Sequence, residues 1–186
     1  MNQTESYILN AIKTWVWSGF YSPSDVDGMI NDILDKDANE SLLRAAVRPE
    51  FKKKAAAETS WPKTTDCDRL DGAFKTLNAQ GIIALQNTGF EMSDGLPAVA
   101  EVLHQRGIYR VIGYCFYHGQ DVESAVAGGG LMVAFGDLHD DLNRKAEIGQ
   151  RVKVVLEQHG LIVKWNGDPQ TRLDIPKLDW KRRFRG

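Results

Sequence analysis

The sequence predicts an α+β fold: a four- or five-stranded mixed sheet with long helices packed mainly on one face, preceded by a helical N-terminal region. Three observations predict it. A helix-to-strand junction recurs as Leu77-Asn78-Ala79-Gln80-Gly81-Ile82, Leu103-His104-Gln105-Arg106-Gly107-Ile108 and Leu156-Glu157-Gln158-His159-Gly160-Leu161. Each sets a leucine four residues before a glycine and an apolar run after it, as a helix needs when it ends on a left-handed glycine and feeds a buried strand. The stretch Val163 to Ile175 alternates on both sides of the polar turn Asn166-Gly167-Asp168-Pro169. That hairpin implies an antiparallel pair and argues against a purely parallel, doubly wound sheet. The first 57 residues carry helical spacing only.

Taken in order, Ile8, Leu9, Ile12, Trp15 and Val16 recur on one face of a first helix. Ser22-Pro23-Ser24-Asp25 starts a second, with Ser22 as cap, Pro23 at the first helical position and Asp25 closing a capping box. A third helix is expected from Asn39 to about Ala57. Leu70, Ala73, Phe74 and Leu77 line a fourth, which Gly81 ends before the strand Ile82-Ile83-Ala84-Leu85. Another helix over Leu96–Gln105 precedes a strand over Tyr109–Tyr117. A short helix at Asp121–Ala127 then leads through Gly128-Gly129-Gly130 to Leu131–Phe135. The last long helix carries Ile148, Val152, Val155 and Leu156, and Gly160 delivers Leu161-Ile162-Val163. Residues 1–60 read as a helical region packed on an α+β domain of residues 61–186. An offset of 79 residues pairs Leu77 with Leu156 and Gly81 with Gly160. Duplication and convergent helix–strand grammar explain this equally well.

Bulk properties set the class. The 186 residues are 42% apolar with five tryptophans, enough for a real core and against disorder. The net charge of -2 gives no general attraction to nucleic acid or anionic membrane. No apolar run approaches the ~20 residues that cross a bilayer. Cys67 and Cys115 form neither a disulfide framework nor a CxxC metal motif, so a cytoplasmic setting is the default expectation.

From Trp61 onward the chain resembles a bacterial family, domain of unknown function 6891. The resemblance is carried by Thr65-Asp66-Cys67-Asp68-Arg69-Leu70-Asp71 with Gly81-Ile82, by Ala125–Leu131 with Ala134-Phe135-Gly136, and by Trp165-Asn166-Gly167-Asp168-Pro169. It covers about residues 61–183. Family members often carry extra cysteines after the first strand, where this chain reads Gln86–Met92, so no cysteine-held metal is implied. The resemblance implies no substrate, cofactor or catalytic residue.

Chemistry is therefore sought in polar clusters. Asp66 and Asp68 either favour the positive end of a helix or hold one divalent cation, Mg or Ca, through hard oxygen ligands. His118, oriented by Asp121, is the candidate general base, or both ligate metal; the favoured structural reading has Gln120 or Asp121 cap a short helix while His118 shields its end. Gly136-Asp137-Leu138-His139-Asp140-Asp141 reads as a solvated helix start or a cation loop. The Gly128–Gly130 run precedes a strand rather than a helix, so it reads as a turn and not a phosphate loop. Cys67 reads as packing, His104 and His159 as helix-end residues, and Lys52-Lys53-Lys54 as a solvated face. The basic tail Trp180–Arg185 suits an edge strand, a protein-binding patch or, least, nucleic acid. The expected function is an accessory or protein-interaction domain with a protein partner or a small-ligand groove. The enzyme alternative is a cation-assisted hydrolase in which Asp66 and Asp68 bind metal and His118 activates water.

Overall fold

A computed structural model describes residues 2–107 and 110–185. Among them are seven α-helices and four strands, in two compact units: Met1–Thr65 with Lys181–Gly186, and Asp66–Trp180.

The first unit holds α1 (Gln3–Ser18), α2 (Pro23–Ile33) and α3 (Glu40–Glu58). Their starts reflect the local chemistry. Ser22 and Asp25 exchange side-chain and backbone hydrogen bonds at α2, and the Asn39 side chain accepts from the Leu42 N–H at α3. Apolar faces built from Ile8, Ile12, Val16, Val26, Ile30, Leu43 and Val47 close on one another as a core. The lysine run departs from expectation. Lys52 and Lys53 are exposed, but Lys54 is buried and pairs with Glu58 at 3.1 Å, because three consecutive helical residues fan around the axis. The basic tail is no edge strand. The Arg182 guanidinium stacks 4.3 Å from the Phe20 ring centre, and Arg183 donates to the Pro62 carbonyl at 3.0 Å and lies over Trp61.

The second unit is the α+β layer. Its elements are α4 (Asp66–Ala79), β1 (Ile82–Leu85), α5 (Met92–Arg106), β2 (Gly113–Phe116), α6 (Gly119–Val126), β3 (Leu131–Gly136), α7 (Leu142–Gln158) and β4 (Leu173–Ile175). The sheet order is β1-β2-β3-β4, with β1 and β2 parallel and the other pairs antiparallel. Alternation along the strands assigns the two faces. Gly113 lies against Ile148 of α7, and Tyr117, two pairs further along, meets Phe74 of α4 ring edge to ring at 5.4 Å. Tyr114 and Phe116 face the other way: Phe116 fills the space that the missing side chain of Gly95 leaves on α5. The long helices α4 and α7 thus share one face, while α5 covers Ile83, Phe116 and Ala134 on the other.

All three junction glycines stand at helix exits, with φ of 85°, 80° and 84° at Gly81, Gly107 and Gly160. The segments they lead into differ. Gly81 delivers β1. Ile108 of the second junction and Tyr109 of the expected strand lie outside the described residues, and β2 starts only at Gly113. After Gly160 no strand forms: Lys164 makes a single antiparallel bridge to Asp174. The expected hairpin is therefore β4 plus one bridge, and β4 takes its long pairing from β3 instead.

Candidate functional site

In a parallel pair joined by a crossover helix, loops gather where both strands end, and that is where open α/β sheets place ligands. Here β1 exits into residues 86–91 and β2 into Tyr117 and His118. The two loops are laced together: Gly119 N–H donates to the Gly89 carbonyl at 2.9 Å, Gln120 N–H to the Phe90 carbonyl at 3.0 Å, and the Tyr117 hydroxyl to Gln86 Oε1 at 2.6 Å. Helices α5 and α6 both begin at this end.

His118 and Asp121, chosen from the sequence, meet there. Both are only 4% exposed. One carboxylate oxygen of Asp121 accepts the His118 backbone N–H at 3.1 Å and stands 3.2 Å from His118 Nε2. The other accepts from Arg172 Nη1 at 2.9 Å, and the same guanidinium nitrogen lies 3.4 Å from His118 Nε2. A carboxylate buried on a two-turn helix needs a cation or several donors, and Arg172, just before β4, supplies the charge. His118 Nδ1 is buried and, among the described residues, has no hydrogen-bond partner. If Nε2 carries the proton toward Asp121, Nδ1 is an acceptor; the ring faces the Asp121 backbone N–H across a capping box without completing a cap hydrogen bond.

Asp94 of α5 adds negative charge to this end. Its carboxylate caps the Glu91 and Phe90 N–H groups, at 2.9 and 2.7 Å. Those two bonds, with a further contribution from His118, hold its carboxyl below the usual aspartate range.

Asp66 and Asp68 occupy the first turn of α4. One oxygen of Asp66 accepts from Arg69 at 2.6 Å, and the other from the Asp179 N–H at 3.0 Å. No three His, Cys, Asp or Glu side chains gather closely enough to share a metal ion among the described residues. The structure therefore brings His118 to Asp121 but does not assemble them with Asp66 and Asp68 into a metal centre. Both cysteines are buried, and burial pushes the Cys115 thiol far up, which disfavours the thiolate. The loop after β3 is a helix start: Asp141 caps α7, and the buried Asp137 accepts the His139 N–H at 2.8 Å.

Three features escaped the sequence reading. Arg172 was hidden because 51 residues separate it from Asp121. Asn78, inside a junction already singled out, bonds both backbone groups of Ala84 on the outer edge of β1 and accepts from Arg106 at 2.8 Å. Asn78, Gln80, Arg106 and Arg110 line an open cleft there. Third, Phe90, Met92 and Leu96, at the start of α5, are 55%, 43% and 52% exposed.

A family model described as domain of unknown function (DUF6891) matches residues 1–184. The chain belongs to DUF6891. The match takes in the N-terminal helices as well as the segment from Trp61 onward that carried the resemblance. No curated protein matches this DUF6891 chain, and no solved structure does. Among its described residues no helix is long and apolar enough to cross a membrane.

Proposed function

We propose that this DUF6891 chain is a cytoplasmic accessory domain that works by binding a protein partner. The observation that carries the reading is the exposure of Phe90, Met92 and Leu96 within seven residues. Singly exposed apolar residues are ordinary, but large ones concentrated at one helix start, outside the core, suit a contact surface. Their position, where two strands and two helices meet, sets Phe90 on a braced loop and Met92 and Leu96 on the first turns of the helix that follows. A small-ligand groove, the other part of this reading, has its best place in the cleft beside Asn78 and Arg106. Affinity capture with the wild-type chain and with Leu96→Ser, compared by quantitative mass spectrometry, tests the reading. A partner depleted about tenfold or more by Leu96→Ser is expected; a set of bound proteins unchanged by the substitution refutes it.

The hydrolase alternative keeps one supporting observation, the buried and unpaired Nδ1 of His118 beside a nitrogen facing Asp121. Its metal half has less support, since both oxygens of Asp66 are occupied. Calorimetric titration with Mg²⁺ and Ca²⁺ decides: heat that saturates and disappears in Asp66→Asn favours the hydrolase, and its absence removes that mechanism.

A further inference from the structure

The protein-binding reading leaves the partner's chemistry open, and the surface of α5 narrows it. Residues four apart on a helix form rows that lie side by side. Met92, Leu96 and Ala100 make one exposed row, and Ser93, Pro97 and Glu101 make the next. Pro97 has no N–H to give the Ser93 carbonyl one turn earlier, so the usual bond of that helical turn is missing on the exposed row. From Gln86 to Leu103 the only charged side chains are Glu91, Asp94 and Glu101, with no lysine or arginine. The nearest arginine on the helix is Arg106, ~15 Å from Leu96 and ~9 Å from Ala100 along the axis, and it is bound to Asn78. The apolar row is thus bordered by a row ending in Glu101, on a stretch whose charged side chains are all acidic.

We infer that this face docks a cationic amphipathic helix of a partner protein. The inference rests on the protein-binding reading and adds the sign of the partner's charge. Apolar side chains one turn apart on the partner cover Leu96 and Met92. Lysines or arginines flanking them face Glu101. Burying the same row against an acidic helix sets like charges together, which costs affinity and discriminates between partners.

The test uses the full chain with two synthetic fourteen-residue amphipathic helices, one of leucine and lysine, the other with glutamate replacing every lysine. Affinity is read by fluorescence anisotropy and location by backbone amide shifts. The lysine peptide is expected to bind about tenfold or more tightly than the glutamate peptide, with shifts confined to residues 90–101. Leu96→Ser weakens it about tenfold, and Glu101→Lys narrows the preference between the peptides, each in a chain whose melting curve matches wild type. Equal binding of both peptides at 90–101 overturns the charge inference and leaves the docking surface standing. Shifts elsewhere, or indifference to Leu96→Ser, overturn both. Self-association of the chain alone that Leu96→Ser abolishes makes a second copy the occupant and also overturns the inference.

Discussion

Asn78, on the outer edge of β1, and His118, at the exit of β2, each organise a small polar network, but they leave different residues behind. The Asn78 amide donates to the Phe74 and Ala84 carbonyls at 3.0 and 2.9 Å and accepts from the Ala84 N–H and from Arg106 at 3.2 and 2.8 Å. It imitates a neighbouring strand at one residue of an edge that would otherwise be open to pairing with another chain. Every valence of the amide is used. At the exit of β2, Asp121 takes the His118 N–H, His118 Nε2 and Arg172, yet among the described residues His118 Nδ1 completes no hydrogen bond. A closed network is architecture. One that leaves a buried ring nitrogen without a completed hydrogen bond carries a cost in stability.

The largest effect should come from opening the His118 network. Asp121→Ala strips the anion from Arg172 and the acceptor from the His118 N–H, and should lower unfolding free energy by about 2–4 kcal/mol. Arg172 is one-third exposed, so Arg172→Met should cost less, and the double variant less than the sum of the singles. Urea titration of the three variants checks this. Additivity across the pair would show that Arg172 and Asp121 do not act together, and the two networks would no longer differ in kind.

Asn78→Asp tests the closed network at constant shape. The carboxylate keeps the bonds from Ala84 N–H and Arg106 but turns two donors into acceptors facing the Phe74 and Ala84 carbonyls. A loss of about 1–3 kcal/mol is expected, partly offset by the stronger pairing with Arg106. Urea unfolding gives the number, and a sedimentation experiment adds a second readout. If Asn78 shields the strand edge, the variant self-associates at concentrations where the parent chain does not.

The range of each interaction decides how much of this was legible beforehand. The caps Ser22, Asn39 and Asp141 and the glycine exits at 81, 107 and 160 depend on neighbours within a few residues, and the order of residue types already states them. The joining of His118 to Asp121 was legible for the same reason, at three residues' separation. Arg172 was not, because its partner is set by how β4 pairs with β3. The expected strand at Leu161–Val163 failed similarly. Its pattern is right for a half-buried strand, with Leu161 and Val163 buried and Ile162 exposed, but β4 pairs along its length with β3, and this segment reaches it through one bridge alone. Lys54 shows the converse error, since a charge run reads as solvated until packing buries one member of it.

A second buried carboxylate, Asp137, extends the comparison at a smaller scale. Burial alone would raise the Asp137 carboxyl, but N–H groups from His139, Asp141 and Leu138 and the charge of Arg144 outweigh it and hold the group below the usual aspartate range. A carboxyl whose folded value lies below its unfolded value stabilises the fold above the unfolded value, about 4, and that contribution fades as pH falls through the folded value. Asp137→Asn removes the titration while keeping an oxygen that accepts from His139. The variant should therefore be less stable than the parent at pH 7, and its stability should fall less steeply between about pH 4 and pH 2. Melting temperatures across that range measure the slope. Parallel curves for the two proteins would mean that Asp137 is as solvated as an ordinary surface aspartate, and would place the loop after β3 outside the set of buried networks that Asn78 and His118 define.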